Sequence, residues 1–377
     1  MADSNKSGCK KIEVLWITNI PSPYRVDFFE GLGEKVDLTV LFEKSKSDER
    51  DNSWVQENFN NFKAIILNGI NVKTDSSFNF KIRKYLKQDK KYDYIVVSNP
   101  LTITGMYCIQ YLKKHKLSFY IETDGGFPKE GNGFKERIKK YFIGAAQGWL
   151  STAKIHEQYY LQYGADKEKI FKYPFTSVKE EDVLEKPVSN SEKAYLRTEL
   201  GIRQEKMILA VGQFIPRKGL DLLLKVTGNL DDNIAVVLLG GEATEEYLKI
   251  IAEQKLKNIY FPGFIKKKDI QKYYRAADIF VLPTREDIWG LVINEAIAAG
   301  LPVITTDRCI AGTELIVQKK NGFIVPVDDE EKLLEAIRMI IEDESLLKSM
   351  SIESLKIARQ YTIEKMVEWH EKFFENR

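Results

Sequence analysis

Two carboxylates stand at the ends of an otherwise apolar run in the segment PTREDIWGLVINEAIAAGLPVITTD, residues 283–307. Asp287 and Glu295 are separated by seven residues, and Glu286 lies directly beside the first acid. Proline and glycine on both sides predict a helix over about 290–299, with Asp287 before it and Glu295 in its middle. Asp287 could cap this helix or compensate its dipole. A carboxylate on an apolar helix needs partners, so Glu295 is either a partly buried structural acid or a group that binds ligand hydroxyls.

A glycine and two cations meet at the end of a predicted strand in the segment AVGQFIPRKGLD, residues 210–221. Gly212 permits a close turn, Gln213 follows it, and Arg217 and Lys218 offer charge-assisted hydrogen bonds. A helix start after them would add the positive end of its dipole. This arrangement suits a pyrophosphate, and the alternative is a solvated basic turn.

Glycines also mark the ends of two later strands. Gly240 and Gly241 would let the backbone approach a ligand closely, and Gly263 with Phe264 precedes an amphipathic helix. At Gly240 and Gly241 the alternative is a tight turn between a strand and a helix, and for the amphipathic helix the alternative is that its lysines form a solvated face.

The N-terminal half offers polar side chains in two loops. In NIPSPYRVDFFEGLG, residues 19–33, a serine cap and a proline at the first helical position start a helix that carries Tyr24 and Arg25. Arg25 is a candidate ligand contact, with a surface position on the helix as the alternative. In YIETDGGFP, residues 120–128, Glu122 and Asp124 precede two glycines that support a loop close to a ligand, although a plain turn is the other explanation.

Short strands must position these loops. Apolar runs rich in β-branched and aromatic residues occur in the first half at 14–18, 38–42, 94–98 and 118–122. After a charged stretch poor in large apolar residues, the pattern restarts with runs at 207–212, 235–241, 258–263, 278–284 and 302–306. Strands that are apolar throughout and alternate with helices predict parallel sheets covered on both faces.

The sequence therefore predicts an α/β chain with two Rossmann-like, doubly wound domains. The predicted boundaries are an N-terminal domain over 1–180, a linker over 181–195, a C-terminal domain over 196–360 and a helix over 361–377. For the last helix, packing back onto the N-terminal domain is one arrangement. Ligands in such sheets bind outside the carboxyl ends of the strands, so two sheets that face each other predict a cleft.

Composition limits the class of protein. Of 377 residues, 44% are hydrophobic and 30% charged, which is typical of a soluble globular protein. The net charge of +2 argues against a nucleic-acid partner. Cys9, Cys108 and Cys309 fit neither a disulfide framework nor a zinc site, so we expect a cytoplasmic location. No signal peptide is visible, and no apolar run approaches the roughly 18 residues that span a bilayer.

The C-terminal half resembles the retaining GT-B glycosyltransferases of the glycosyl transferases group 1 family, which is family four. That family has the motif E-x-F-G-L-x-x-x-E-A, and residues 287–296 read D-I-W-G-L-V-I-N-E-A. The segments GLPVI and NGFIVPVDD are similar to the family as well. The resemblance is strong over about 195–350 and loose over about the first 175 residues. It implies a GT-B fold, in which two Rossmann-like domains face each other across a cleft.

The resemblance implies transfer of a sugar from a nucleotide diphosphate sugar to an acceptor, with retained anomeric configuration and with no metal or other cofactor. By matching positions, Asp287 would hold hydroxyls of the donor sugar, Glu295 the ribose and Lys218 a phosphate. The start of the helix at Gly290 and Leu291 would present backbone N–H groups to phosphate.

Two positions depart from the family's motif. The arginine five residues before the phosphate-binding lysine is Gln213 here, which leaves Arg217 as a candidate replacement. Aspartate at 287 is one methylene shorter than the family's glutamate, so Glu286 is a second candidate for the sugar contact. The predicted donor-binding residues are Gly212, Gln213, Arg217, Lys218, Gly263, Phe264, Glu286, Asp287, Gly290, Leu291, Val292 and Glu295.

The resemblance assigns the other side of the reaction to the N-terminal domain. Many relatives have a histidine after the fourth strand, and Asp124 matches that position here. A carboxylate there could stabilise developing positive charge or bind an acceptor hydroxyl. The predicted acceptor or diphosphate residues are Tyr24, Arg25, Glu122 and Asp124, and the predicted catalytic residues are Asp287, Lys218 and Asp124. The histidines elsewhere are expected on the surface or in packing, namely His115, His156 and His370.

The expected function is therefore a glycosyltransferase of hexosyltransferase type, acting on a glycan or lipid-linked acceptor in surface polysaccharide or glycoconjugate synthesis. The alternatives are a nucleotide-sugar epimerase or phosphorylase on the same fold, and a non-catalytic relative that binds nucleotide sugars. The basic helix FKERIKKYF, residues 134–142, is either a solvated surface helix or a peripheral contact with anionic lipid at the inner face of the cell membrane.

Overall fold

The computed structural model describes residues 11–45, 59–67, 69–73, 76–88, 91–131 and 133–376. Cys9 and the N-terminal segment that shows no signal peptide lie outside these ranges. The chain divides into two compact units, of which the first contains Met1–Phe175 and Ile363–Arg377 and the second Thr176–Thr362. The predicted linker over 181–195 thus falls at the beginning of the second unit.

The first unit alternates strands and helices along the chain. Its strands are β1 (Glu13–Thr18), β2 (Asp37–Phe42), β3 (Lys63–Ile66), β4 (Ile70–Lys73), β5 (Ser76–Phe78), β6 (Tyr94–Ser98), β7 (Tyr120–Glu122), β8 (Gly148–Ser151) and β9 (Ile170–Lys172). Its helices are α1 (Pro23–Lys35), α2 (Ile82–Leu86), α3 (Ile103–Lys114), α4 (Phe134–Ile143), α5 (Lys154–Gln162) and α14 (Ile363–Glu375), with a 3-10 turn at Lys167–Lys169.

Within the described residues, the main sheet of this unit has the order β3-β2-β1-β6-β7-β8-β9, and its pairs are parallel. The central strands are buried because both faces carry helices; Val14, Leu15, Trp16 and Ile17 of β1 have no exposed surface. The order reverses between β1 and β6, so the loops after these two strands diverge there. A small antiparallel pair, β4 with β5, lies outside the main sheet.

Helix α14 belongs to the first unit although it ends the chain. Its His370 ring lies 5.6 Å from Trp16 and 4.8 Å from Phe28 of α1, measured between ring centroids. Phe374 packs on Tyr94, and the Tyr94 hydroxyl donates to the Phe374 carbonyl at 2.8 Å. The helix therefore completes the aromatic layer on one face of the first sheet.

The second unit repeats the alternation. Its strands are β10 (Lys206–Val211), β11 (Ile234–Leu239), β12 (Ile259–Tyr260), β13 (Ile279–Leu282), β14 (Val303–Thr306) and β15 (Gly322–Val325). Its helices are α6 (Asn190–Glu199), α7 (Leu220–Thr227), α8 (Glu245–Gln254), α9 (Lys267–Ala276), α10 (Leu291–Ala298), α11 (Ile310–Leu315), α12 (Glu330–Ile341) and α13 (Glu344–Ala358), with 3-10 turns at Glu180–Asp182 and Pro216–Lys218.

The second sheet has the order β12-β11-β10-β13-β14-β15 in the part of the chain that the structure describes, and its pairs are parallel. Its order reverses between β10 and β13. Each apolar run predicted as a strand contains one, although the run at 258–263 is a strand only over Ile259–Tyr260. The prediction of two α/β domains with parallel sheets is confirmed. None of the described helices is both long and apolar enough to cross a bilayer.

Candidate functional site

Lys218 and Asp287 meet at the point where the order of the second sheet reverses. Lys218 belongs to the turn after β10 and Asp287 to the loop after β13, and these strands are neighbours. The Lys218 Nζ donates to Asp287 Oδ2 at 2.5 Å, and the two side chains are 13% and 12% exposed. Because little water reaches the pair, its electrostatic attraction is stronger than that of a surface ion pair.

The turn that carries Lys218 is pressed against the end of β13. Gly219 has φ 66°, and a Cβ there would lie 2.0 Å from the Pro283 carbonyl oxygen, so the position requires glycine. The Arg217 carbonyl accepts from the Arg285 N–H at 2.8 Å and from the Thr284 hydroxyl at 2.9 Å. The backbone of the turn is thereby held in place by the loop that leads to Asp287.

Helix α10 begins four residues after Asp287. Gly290 caps it with φ 97°, and a Cβ at that position would lie 2.7 Å from Cys309 Sγ. Leu291 and Val292 form the first turn, whose N–H groups point out of the helix end. The Asp287 N–H donates to the Arg308 carbonyl at 2.8 Å and the Asp287 carbonyl accepts from Ile310, so the next strand's loop supports this one. The arrangement places a helix start, a lysine and a carboxylate within one small region.

Cys309 lies beneath this region and is fully buried. Its thiol donates to the Trp289 carbonyl at 3.2 Å. Burial, and secondarily the charge of Asp287, raise the pKa of the Cys309 thiol to about 12. The cysteine therefore packs against the loop as a neutral group.

Glu286 and Asp287 point to different partners. Glu286 Oε2 accepts from Arg308 Nη2 at 2.8 Å, and both side chains are about one-third exposed. The Glu286 carbonyl accepts from Arg217 Nη1 at 2.7 Å. Arg217 is thus directed at the backbone beside Asp287, whereas Asp287 itself meets Lys218. The sugar contact, with Asp287 as the first candidate and Glu286 as the second, stays a prediction.

Glu295 projects from the middle of α10. Its Oε2 accepts a hydrogen bond of 2.8 Å from the Tyr274 hydroxyl of α9. Tyr274 is fully buried, and its burial, with the negative charge of Glu295, raises the pKa of the phenol well above its usual range. The tyrosine therefore remains a donor and orients the carboxylate. Tyr274 is not among the residues predicted from the sequence, because its only signal is an aromatic residue on the buried face of the helix before β13.

The remaining predicted donor residues lie at neighbouring strand ends. Gly212 directly follows β10, and a Cβ on Gly240, which has φ 125°, would lie 2.3 Å from the Gly212 carbonyl oxygen. Gln213 is exposed. Gly263 has φ 80°, and the adjacent Phe264 is 64% exposed at the end of β12. These loops leave backbone and one aromatic ring accessible at the carboxyl edge of the sheet.

The four predicted residues of the first unit form one cluster. Arg25 Nη2 donates to Glu122 Oε1 at 2.9 Å and also contacts Asp124 Oδ1. The Tyr24 hydroxyl donates to Asp124 Oδ2 at 3.0 Å. Burial, and then the charge of Asp124, raise the pKa of Tyr24, and the neighbouring carboxylates raise that of Arg25 against the opposing effect of burial. The cluster thus contains a fixed cation, a neutral phenol and two carboxyl groups.

Glu122 and Asp124 differ in access to solvent. Glu122 is fully buried and also accepts from Ser98 Oγ and from the Tyr173 hydroxyl, each at 2.6 Å. The Asp124 side chain is 42% exposed. Asp124 can therefore reach a ligand, whereas Glu122 holds Arg25 from behind. Ser98 and Tyr173 are partners that the sequence could not indicate, since they are 24 and 51 positions away from Glu122 along the chain.

His156 lies closer to Asp124 than its place in the sequence suggests. Its Nε2 is 2.9 Å from the Thr123 hydroxyl, and its Nδ1 is 3.2 Å from the Thr152 hydroxyl. It is fully buried, and burial lowers its pKa to about 3, as it does for His370. Both rings are neutral packing residues, while His115 is exposed and stacks on Tyr111.

The predicted residues thus form two groups, one in each unit. The second group lies in a part of the chain that is similar to a known protein family. Residues 193–356 match the model of the family described as "Glycosyl transferases group 1". That stretch contains Lys218, Asp287 and Glu295. The second group therefore lies in a stretch that is similar to the glycosyl transferases group 1 family.

Two curated bacterial proteins are similar to about half of the chain. An uncharacterised glycosyltransferase of Haemophilus influenzae is 30% identical over 186 residues, which cover 48% of this chain and 52% of that protein. The alpha-galactosylglucosyldiacylglycerol synthase of Streptococcus pneumoniae is 27% identical over 198 residues, 51% of each chain. The aligned region spans about half the length of these curated relatives.

The fold extends the likeness beyond residues 193–356. The crystal structure of HepE from Anabaena, in complex with UDP and glucose, has a TM-score of 0.74 and 15% identity, covering 97% of this chain and all of that one. At this identity the likeness shows the fold alone. The predicted GT-B class, with two Rossmann-like α/β domains, is confirmed by this neighbour and by the two parallel sheets. The predicted cleft stays a prediction.

Proposed function

We propose that this protein is a retaining glycosyltransferase that moves a sugar from a nucleotide diphosphate sugar to a hydroxyl of a glycan or lipid-linked acceptor. The observation that carries the proposal is the contact between Lys218 and Asp287 beside the start of α10. A cation and a helix start suit a diphosphate, and a carboxylate within reach of them suits sugar hydroxyls. The junction between sugar and diphosphate is where these two chemistries must lie together.

On this proposal the second unit holds the donor. Lys218 leaves Asp287 and pairs with the diphosphate, which frees the carboxylate to accept from hydroxyls of the sugar. Glu295, held by Tyr274 at 2.8 Å, accepts from the ribose hydroxyls. The solved neighbour HepE binds UDP and glucose, which supports a nucleotide sugar as the donor class.

The proposed reaction needs no nucleophile from the protein. The bond between the anomeric carbon and the diphosphate oxygen breaks, and a bond from that carbon to the acceptor oxygen forms on the same face of the sugar. The proton of the acceptor hydroxyl passes to the leaving diphosphate, whose charge Lys218 and the N–H groups at the start of α10 neutralise. No metal ion is required, so activity should persist in EDTA.

We assign the acceptor side to the first unit. The exposed carboxylate of Asp124, held by Tyr24 and Arg25, would bind an acceptor hydroxyl or stabilise positive charge at the anomeric carbon. The name of the Streptococcus pneumoniae relative, a diacylglycerol glycoside synthase, supports a lipid-linked acceptor as one candidate. Surface polysaccharide or glycoconjugate synthesis at the inner face of the cell membrane is the setting we propose.

Transfer assays with site variants test the proposal. We expect Lys218→Ala and Glu295→Ala to abolish transfer while the fold is retained. The control variants are Lys249→Ala and Glu253→Ala, because these two residues form an exposed ion pair of 3.8 Å on α8, away from the strand ends. A thermal-shift screen of nucleotide sugars first identifies the donor, since a bound donor stabilises the native state. Unchanged turnover in both site variants would show that the assignment is wrong.

Product analysis by NMR separates the proposal from its rivals. The anomeric coupling of the transferred sugar should match that of the donor. Donor incubated without acceptor should show no epimerised sugar. Epimerised sugar would indicate an epimerase. Nucleotide binding without turnover on a broad acceptor panel would favour a non-catalytic relative instead.

A further inference from the structure

The guanidinium of Arg285 donates four hydrogen bonds to acceptors of the protein. Its Nη1 and Nη2 each donate to the Asp221 carboxylate at 2.8 Å, which is the bidentate geometry that suits a guanidinium. Nη1 also donates to the Pro216 carbonyl at 2.6 Å, and Nε donates to Asp328 Oδ1 at 2.8 Å. The side chain is therefore held in one orientation.

The groups that Arg285 joins belong to different segments around the donor site. Pro216 begins the turn that carries Lys218, and Asp221 lies in the first turn of α7 directly after it. Asp328 lies in the loop before α12. Arg285 itself lies two residues before Asp287, so its side chain adds to the contacts that hold the lysine's turn against the acid's loop.

The pair formed by Arg285 and Asp221 differs from an ordinary surface ion pair. Asp221 is only 6% exposed. Its burial alone would raise its pKa, but the hydrogen bonds and charge of Arg285 outweigh that effect and lower it. The hydrogen bonds with Asp221 likewise raise the pKa of Arg285. Both groups thus stay ionised, and Lys225 Nζ lies 3.6 Å from the same carboxylate.

A lysine needs such support more than an arginine does. Its ammonium is a point charge on a flexible four-carbon stem. A fixed backbone limits the region that this charge can reach. The 3-10 turn Pro216–Lys218 has only three residues, and the surrounding contacts supply its rigidity.

We propose that Arg285 is a positioning residue for the donor diphosphate: it holds the turn 216–218 so that Lys218 meets the phosphates, without contacting the ligand itself. This inference rests on the proposed function. It adds a residue that lies outside the donor site predicted from the sequence, and it explains how one lysine can serve where Gln213 replaces the family's arginine.

The test is calorimetry on the full chain with UDP, GDP and ADP, and with the matching nucleosides, which lack phosphate. We expect Arg285→Gln to weaken binding of the preferred nucleoside diphosphate about tenfold, because the charge-assisted contacts between Lys218 and phosphate are lost. Binding of the nucleoside should be unchanged. In the Lys218→Ala background the same change should cost nothing further, since both variants remove one interaction.

Two more variants make the test decisive. Asp221→Asn keeps the arginine but weakens its anchor, so it should also weaken diphosphate binding, and it carries the test if Arg285→Gln does not fold. Arg275→Gln removes an exposed arginine that pairs with Glu192 and should change nothing.

Additive losses in the double variant would mean that Arg285 binds phosphate itself and would overturn the inference. Unchanged diphosphate affinity with a lower melting temperature would overturn it too. Failure of the wild-type chain to bind any nucleoside diphosphate would refute the proposed function and the inference together.

Discussion

A buried carboxyl group in the first unit allows a quantitative prediction. Glu43, directly after β2, is 1% exposed. Its Oε1 accepts from the Thr102 hydroxyl at 2.7 Å, and its Oε2 has no hydrogen-bond partner in the described part of the chain. Burial raises its pKa from the ordinary value of 4.5 to about 7, against smaller opposing effects of Thr102, Ser77 and Lys44. The folded protein therefore releases this proton less readily than the unfolded chain.

The sign follows from proton linkage. Between pH 4.5 and 7 the folded state keeps the proton that the unfolded state has lost, so the free energy of unfolding falls as pH rises. A shift of about 2.5 units at about 1.4 kcal/mol per unit makes the penalty about 3 kcal/mol above pH 7. Glu43→Gln keeps the acceptor for Thr102 and carries no charge. We expect it to stabilise the first unit by up to about 3 kcal/mol at pH 8 and to have little effect near pH 4.5.

Urea unfolding at both pH values, followed by tryptophan fluorescence, measures this difference. Trp16, Trp149 and Trp369 report on the first unit. Glu130→Gln, at an exposed position of the same unit, is the control and should show no such gain. The reasoning is refuted if Glu43→Gln destabilises the unit equally at pH 4.5 and pH 8, because the carboxyl would then contribute as a hydrogen-bonding group and not through its charge.

Two further substitutions probe the second unit. Asp278→Ala leaves the buried Lys193 and Arg197, which lie 3.0 and 2.6 Å from that carboxylate, without their partner, so we expect a loss of about 3–5 kcal/mol in urea unfolding. Retained stability would show that water reaches the two cations. Gly290→Ala adds a Cβ 2.7 Å from Cys309 Sγ at φ 97° and should cost about 1–3 kcal/mol and slow transfer. Adding Cys309→Ala should relieve the clash but not the backbone strain. Full recovery of stability would show that the backbone at this position is not strained by alanine.

The sequence predicted nine strands of the two main sheets because these strands are apolar along most of their length. Residues 14–18 and 207–211 lie in strands that are buried on both faces, and no alternating pattern competes with that interpretation. Strands β3, β8, β9 and β15 of the main sheets were missed, as was the pair β4 with β5, since strands of three or four residues carry little hydrophobic signal.

The sequence predicted which residues belong to the site but not which of them contact one another. The motif drew attention to Asp287, but its pairing with Lys218 joins residues 69 positions apart, and no local rule specifies such a pair. The same holds for Arg25 with Glu122 and for the buried His156 behind Thr123. These pairings depend on which strand ends the sheet order brings together, so they required the fold.

The return of α14 to the first unit has a consequence for how the protein is made. Synthesis runs from the N-terminus, and domains generally fold as they emerge. All of Thr176–Thr362 leaves the ribosome before Ile363–Arg377, so the unit that is begun first is finished last. Until then Trp16 and Phe28 lack the ring of His370 that packs against them. A nascent chain would therefore hold a complete second unit while the apolar face of its first unit still needs protection from aggregation.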